Sequence, residues 1–319
     1  MASTMTARET MRAVRIHQFG GPEVLRYEEA PMPEPKANQI LVRVHAAAVN
    51  PVDWKIREGV LGQDPLPQVM GSDFSGVIEM CGSDVTEFHP GEPVFGTVAD
   101  ESGSYAEYAL TAPPQITVKP EELDHVHAAA LPIASMTAWQ ALFDKGGLQT
   151  GQKVLIHAAA GGVGGFAVQF AHWKGAYVIG TASAESHDFV KQLGADEVID
   201  YRATRFEERV KDVDLVLDTV GGQTQDRSWK VLKQDGILVS IVKPPSEQSV
   251  KKAGVRAIFM RSDHNRGDQL AQIADLVVPG QIKVNVEKML RLDEAREAQE
   301  LSQDGHAHGK IVLAVDGDQ

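Results

Sequence analysis

At 319 residues the chain exceeds the roughly 100–200 residues of one ordinary domain and has length enough for two cores. Hydrophobic residues make up 43% and charged residues 24%, usage that excludes a fibrous or wholly disordered chain. The formal charge is −13, with 44 acidic against 31 basic side chains and no long basic run, which argues against a sequence-independent nucleic-acid surface.

The single cysteine, Cys81, rules out an intrachain disulfide and any multi-cysteine zinc site, and fits a reducing compartment. Met1 to Ile16 carries scattered charges without an apolar run of signal-peptide length, and nothing downstream reaches the ~18 uninterrupted apolar residues of a membrane span. A soluble, cytoplasmic protein with no membrane partner is expected, and the residues before Met11 read as a polar tail.

From Met11 to about Leu131, short β-prone runs such as Gln39 to Val44, Gly76 to Met80 and Tyr105 to Leu110 are cut by Pro-rich and Gly-rich turns, which predicts a mostly β domain. Beyond Leu131, strands alternate with helices of ten or more residues, the rhythm of a parallel sheet covered by helices. Predicted strands are Lys153 to His157, Tyr177 to Thr181, Glu197 to Asp200, Val213 to Asp218 and Gly236 to Ile241. Helical spacing marks Phe166 to Lys174, His187 to Leu193, Asp268 to Val277 and a charged segment from Leu290 to Gln303. The last strand, Lys310 to Val315, has no helix after it and is expected to return to the N-terminal domain.

The decisive segment runs from Lys153 through Ala160, Gly161, Gly162, Val163 and Gly164, a buried-looking strand entering glycines and then an apolar helix. Glycines there admit a pyrophosphate close to the backbone, and the N–H groups at the helix start supply hydrogen bonds and partial positive charge. Ala159 stands where G-x-G-x-x-G has its first glycine, so the flanking strand and helix carry the reading; a tight packing turn and a methyltransferase-type nucleotide site are the alternatives. The second strand ends at Thr181, Ala182 and Ser183 without the carboxylate that bonds a ribose 2′-hydroxyl, which favours NADP(H) over NAD; Glu185 lies two positions beyond. Ser183 and Tyr201 offer hydroxyls to a 2′-phosphate, and Lys191, Arg202 and a C-terminal histidine are the candidate cations.

The runs Ala46 to Lys55, Gly71-Ser72-Asp73-Phe74-Ser75-Gly76, Gly91 to Gly96, Gly103 to Tyr108, Leu131-Pro132, the glycine turn, Leu193-Gly194-Ala195-Asp196 and Gly309-Lys310-Ile311-Val312 fall in a telling order. The chain resembles the quinone oxidoreductase branch of the medium-chain dehydrogenase/reductase superfamily, zeta-crystallin-like and zinc-free, from Met11 to Val315. The resemblance implies an α/β chain in two parts: a GroES-like, mostly β substrate domain from residues 11–130 plus 268–319, and an inserted Rossmann domain, a doubly wound parallel sheet, from residues 131–267. It also implies a homodimer or homotetramer and a quinone or enone as small-molecule partner.

Zinc-containing relatives place a cysteine at Asn50 and Gly-His-Glu at Gly71-Ser72-Asp73, so a metal is not expected here. The close histidine pairs, His125 with His127 and His306 with His308, lack a third ligand in sequence. Without a Lewis acid, hydride addition to a quinone or conjugated enone asks less than reduction of a simple ketone, because the charge spreads over an anion that hydrogen-bond donors stabilise.

By analogy with the family, Asn50 sits beside the nicotinamide and Thr137 contacts it or its ribose. Trp54 stacks on a flat substrate or narrows its pocket, or packs between domains; Lys55 polarises a carbonyl or pairs with an acidic group such as Asp53. Thr219 and Val220 pass under the ribose and adenine, and Ser240 leads a run approaching the carboxamide, mostly through backbone. His308 replaces an arginine that relatives use on the 2′-phosphate, so NADPH affinity should rise as this imidazole protonates. An acyl-thioester enoyl reductase and a non-catalytic, crystallin-like NADPH-binding protein are the competing readings.

Overall fold

In the computed structural model, residues 10–62, 65–99, 101–305 and 307–315 are described; most of the expected polar tail, and His306, lie outside them. The N-terminal strands are β1 (Thr10–Ile16), β2 (Arg26–Pro31), β3 (Ile40–Val49), β4 (Gln68–Val69), β5 (Asp73–Cys81), β6 (Pro93–Thr97), β7 (Tyr108–Thr111) and β8 (Ile116–Val118). Then come β9 (Lys153–Ile156), β10 (Tyr177–Ala182), β11 (Glu197–Asp200), β12 (Val213–Asp218), β13 (Leu232–Ser240), β14 (Arg256–Phe259), β15 (Val286–Arg291) and β16 (Lys310–Ala314).

Strands β9 to β14 form a six-stranded sheet in the order β11-β10-β9-β12-β13-β14, and every pairing is parallel. Val154, Leu155 and Ile156 are fully buried because helices cover both faces of such a sheet, which is why these strands read as continuous apolar runs. The chain builds outward from β9 to β11 and then restarts on the other side at β12. That reversal opens a crevice at the carboxyl ends of β9 and β12, where parallel α/β sheets bind ligands.

A seven-stranded sheet, β15-β16-β3-β5-β6-β8 with β7 on β3, joins the two ends of the chain. β16 returns antiparallel to β3, setting Val312 opposite Ala48, as its missing helix suggested. β3 is buried along most of its length, and its alanines Ala46, Ala47 and Ala48 allow close cover on both faces. A smaller sheet, β2-β1-β4, completes the N-terminal part.

One sequence expectation is corrected. The segment from Leu290 to Gln303 is not one helix: Leu290 and Arg291 end β15, and the helix spans Ala295–Asp304 after a single tight turn. The helix Gly267–Val277 lies between the two parts: Leu270, Ile273, Ala274 and Ile282 enter the same apolar cluster as Val154, Ile156 and Phe170, and the helix also packs on β8 of the seven-stranded sheet. Its apolar stripe packs on the helix Pro132–Trp139 beside the parallel sheet, and the return to the seven-stranded sheet begins at β15.

Candidate active site

The glycine turn sits at the end of β9. Ala158 has a left-handed φ of 47°, and Gly161 caps the helix Gly162–Trp173 with no side chain bonded to its first turn. The N–H groups of Gly162, Val163 and Gly164 thus start a twelve-residue helix and face the crevice with the positive end of its dipole. Gly164 is obligatory, because a Cβ there would stand 2.1 Å from the Ala158 carbonyl oxygen. The far end of the chain is fastened to the same turn: the Gly309 N–H donates to Ala160 O at 3.0 Å, and Gly309 bridges Gly161.

Around the crevice, some predicted side chains are already engaged. The Thr181 hydroxyl lies 3.1 Å from His157 Nδ1, whose Nε2 is 2.9 Å from Ser228 Oγ. Thr219 donates to His157 O at 2.7 Å. Ser240 is fully buried and donates to Asp218 Oδ2 at 2.9 Å, so its hydroxyl shapes the loop rather than meeting a ligand. Val220 and Tyr201 are exposed, at 48% and 50%, and remain available to a bound nucleotide.

At the tip of β10, Ser183 Oγ is 3.1 Å from Ser186 Oγ, which is 2.7 Å from His308 Nε2. The His308 ring stacks on Phe189 with centroids 5.4 Å apart. Residues 122 positions apart are therefore joined at the place where a 2′-phosphate is expected. Glu185, the nearby carboxylate, is 3.5 Å from Arg202, which offsets its repulsion of an anion.

Asn50 is the centre of a buried polar nest. Its Nδ2 donates to Asp73 Oδ2 at 2.8 Å, its Oδ1 accepts from Lys310 Nζ, and its backbone N–H donates to Asp53 Oδ2 at 2.8 Å. These opposed partners fix which way the amide points and leave one Nδ2 hydrogen uncommitted. Asp73 also accepts from the Ile133 N–H at 3.1 Å, and Lys310 donates to Val49 O at 3.1 Å. Asp53 accepts from Tyr105 Oη at 2.8 Å and from Ser72 Oγ at 3.2 Å. Burial lifts the Asp73 carboxyl to about 6, although Lys310 pulls the other way; burial likewise raises Asp53 and lowers the Lys310 ammonium.

The expected pairing of Lys55 with Asp53 does not form, because Asp53 turns inward to these donors; the Lys55 ammonium lies over the Trp54 ring, 5.3 Å from its centroid. Trp54 Nε1 is buried with no partner among the described residues. Beside the nest is a cavity of about 360 Å³ whose lining includes Ile56 from the helix Pro51–Arg57, together with Ser72, Ser262 and His264, but neither Trp54 nor Lys55 of that helix. Thr137 is buried and donates to Ser262 Oγ at 3.0 Å, so it stands behind a residue that lines the cavity.

Sequence reasoning passed over Lys310, Asp73, Tyr105, Ser262 and His264 as site residues. The polar run Arg261 to Asn265 between a strand and a helix was the one signal for the last two. The nest does not suit a zinc ion: an asparagine and a serine stand at the relevant positions, and an ammonium already bonds Asn50 and faces Asp73 at 3.6 Å. Among the described residues, no group of three or more His, Cys, Asp or Glu side chains converges as a metal site. His125 Nδ1 is 2.8 Å from Ser75 Oγ, and His127 faces Asp124.

Comparison with known proteins agrees with this layout. The family described as alcohol dehydrogenase GroES-like domain matches residues 36–121, and that described as zinc-binding dehydrogenase matches residues 193–313. The quinone oxidoreductase of Homo sapiens is 33% identical over 330 residues, covering 97% of this chain and 99% of that protein. The structure of the quinone oxidoreductase from Coxiella burnetii superposes with a TM-score of 0.92 at 37% identity, over 96% of this chain and 100% of that one. The Escherichia coli quinone oxidoreductase, solved complexed with NADPH, gives a TM-score of 0.88 at 28% identity, over 95% of this chain and 100% of that one. With a GroES-like part, a Rossmann sheet and these relatives over nearly its whole length, the chain belongs to the quinone oxidoreductase branch of the medium-chain dehydrogenase/reductase superfamily.

Proposed function

We propose that the protein reduces quinones or α,β-unsaturated carbonyls with NADPH, by hydride transfer without a metal. One observation carries the reading: the uncapped, glycine-rich helix start and the Asn50 nest meet at Lys310, whose side chain lies beside Gly162 and whose ammonium bonds Asn50 where a metal would need its ligands. The family membership and the NADPH complex of the Escherichia coli relative support it.

Bound at the glycine turn, NADPH supplies the hydride. The N–H groups of Gly162, Val163 and Gly164 receive the pyrophosphate, with Ala160 and Gly161 shaping the turn. Ser183, Ser186 and His308 frame the 2′-phosphate, and the absence of a carboxylate at the end of β10 removes the usual selector for NAD. The uncommitted Asn50 N–H stabilises developing negative charge beside the nicotinamide, held in place by Asp73 and Lys310. Thr137 supports Ser262 at the wall of the cavity, and Lys55 covers the Trp54 ring outside it. The reading divides the chain into a cofactor unit around the parallel sheet and a substrate unit around the seven-stranded sheet. It includes assembly as a homodimer or homotetramer in the cytoplasm.

The test is NADPH oxidation, followed by loss of nicotinamide absorbance, with a quinone and an aliphatic enone in parallel and again with NADH. Turnover of either acceptor with NADPH strongly preferred is the expected result. Equal use of NADH overturns the cofactor assignment. Tight NADPH binding without turnover of either acceptor overturns the reductase assignment and favours the thioester or non-catalytic reading.

A further inference from the structure

The loop after β14 is built with unusual constraint. Both polar groups of the Asp263 peptide are gripped by one side chain: Gln140 Oε1 accepts from the Asp263 N–H at 2.8 Å, and Gln140 Nε2 donates to Asp263 O at 2.8 Å. Gln140 Nε2 also donates to Gln269 Oε1 at 2.8 Å, and upstream the Met260 N–H donates to Ser240 O at 2.9 Å. The loop is thereby fixed between the end of β13 and the helix that carries Thr137.

Within it, His264 Nε2 lies 2.6 Å from Ser262 Oγ, and Ser262 Oγ accepts from Thr137 at 3.0 Å. Ser262 and His264 both line the 360 Å³ cavity. Across that cavity Ser72 donates to Asp53, which holds the Asn50 backbone, so one wall is tied to Asn50 and the other to Thr137. A serine oxygen has two lone pairs and one hydrogen. With Thr137 donating to one lone pair and the His264 Nε2–H tautomer to the other, the Ser262 hydrogen is left for a molecule in the cavity.

We propose that Ser262 is the proton donor of the reduction and that His264 is the positioning residue that resupplies it; the proposal rests on the reductase reading above. Hydride forms the new C–H bond at the β-carbon of an enone, and the displaced π pair moves to the carbonyl oxygen. The Ser262 O–H bond breaks as its proton bonds to that oxygen. His264 Nε2–H then reprotonates Ser262 while Nδ1 takes a proton from water; the ring regains its Nε2–H form by exchange with water, and the hydroxide left behind takes up the one proton consumed per turnover. The enol isomerises to the saturated ketone in water, so one NADPH and one proton are consumed per acceptor. For a quinone the same proton goes to the reduced ring oxygen. A neutral imidazole is the form this relay uses, and burial lowers the His264 pKa in that direction. Among the described residues lining the cavity, Asp263 is the only other titratable group and opposes this shift; Arg266, further along the loop, is held by Asp268 at 2.8 Å.

Ser262→Ala and His264→Ala are measured for kcat and KM with an enone, for NADPH affinity by fluorescence titration, and, for His264→Ala, with added imidazole. Ser262→Ala is expected to lower kcat about 100-fold, the scale of a lost general acid, with NADPH affinity essentially unchanged. His264→Ala is expected to lose kcat and to regain part of it in proportion to added imidazole, a response that a merely structural histidine would not give. Unchanged kcat in both variants, a loss confined to NADPH affinity, or no response to imidazole overturns the relay while leaving the reductase reading intact. A wild-type protein that reduces neither acceptor refutes the reductase reading, and the relay with it.

Discussion

Replacing Lys310 with methionine removes the one ammonium that serves the Asn50 nest while keeping the aliphatic length of the side chain. Lys310 is 4% exposed and faces Asp73 and Asp53, both fully buried, so the variant leaves two carboxyl groups in the core without their cation. Breaking one side of a buried pair costs about 3–5 kcal/mol, because the remaining charge is stranded. Asp73 can escape by binding a proton. With its carboxyl at about 6 in the folded protein against an ordinary 3.8, the folded state takes up a proton between those values that the unfolded state does not. Lys310 holds that carboxyl down, so in the variant it lies above 6; the cost relative to wild type is full only above this raised value and shrinks as pH falls through it toward 6. Lys310→Met combined with Asp73→Asn should be more stable at pH 8 than Lys310→Met alone, since no charge then faces the gap. Urea unfolding followed by tryptophan fluorescence at pH 8 and pH 5.5 reads the wild type, Lys310→Met, Asp73→Asn and the double variant. A single variant that loses less than about 1 kcal/mol at pH 8, or a double variant whose loss equals the sum of the two single losses, refutes the coupling.

Gly164→Ala drives its Cβ against the Ala158 carbonyl oxygen, and the turn must shift; NADPH affinity in a fluorescence titration should fall at least about tenfold, the equivalent of ~1.4 kcal/mol. His308→Ala should weaken NADPH several-fold and leave NADH untouched, because the imidazole stands beside Ser186 where the 2′-phosphate is proposed. Unchanged NADPH affinity in His308→Ala removes the histidine from the 2′-phosphate site. His157 is held neutral by burial, its pKa lowered from 6.5 to about 4, so the unfolded chain binds a proton in that interval that the folded chain refuses. It should therefore cost about 3 kcal/mol of stability as pH falls from 6.5 to 4. Thermal melts of the wild type and His157→Asn across this range isolate the effect as the difference in their pH slopes.

Much of the architecture was legible because its signals are local. The β9 run from Lys153 to Ile156 is apolar throughout since both faces of a parallel sheet are covered, and the glycines after it are dictated by a turn that a single Cβ would break. The lone closing strand announced its return to the N-terminal sheet because it had no helix to follow it. The boundary near residue 268 is less legible: the amphipathic stripe of Gly267–Val277 shows that the helix is half buried but says nothing about which neighbours receive it, and the helix meets both β8 and the helix Pro132–Trp139.

The same limit governs the site. The sequence by itself determined that a strand would run through glycines into a helix start, and its resemblance to the family set Asn50 and Ser72 at the positions where zinc relatives keep ligands. Only the tertiary structure decided which polar side chains are free to act. Thr181 and Ser240 are spent on His157 and Asp218, Ser183 is linked to His308 through Ser186, and Lys310 reaches Asn50 from 260 residues away. A hydroxyl or an ammonium carries no periodicity that names its partner. Its role is set by which buried donor or acceptor the folded chain brings within about 3 Å, where leaving either one unpaired would cost more than the bond itself contributes.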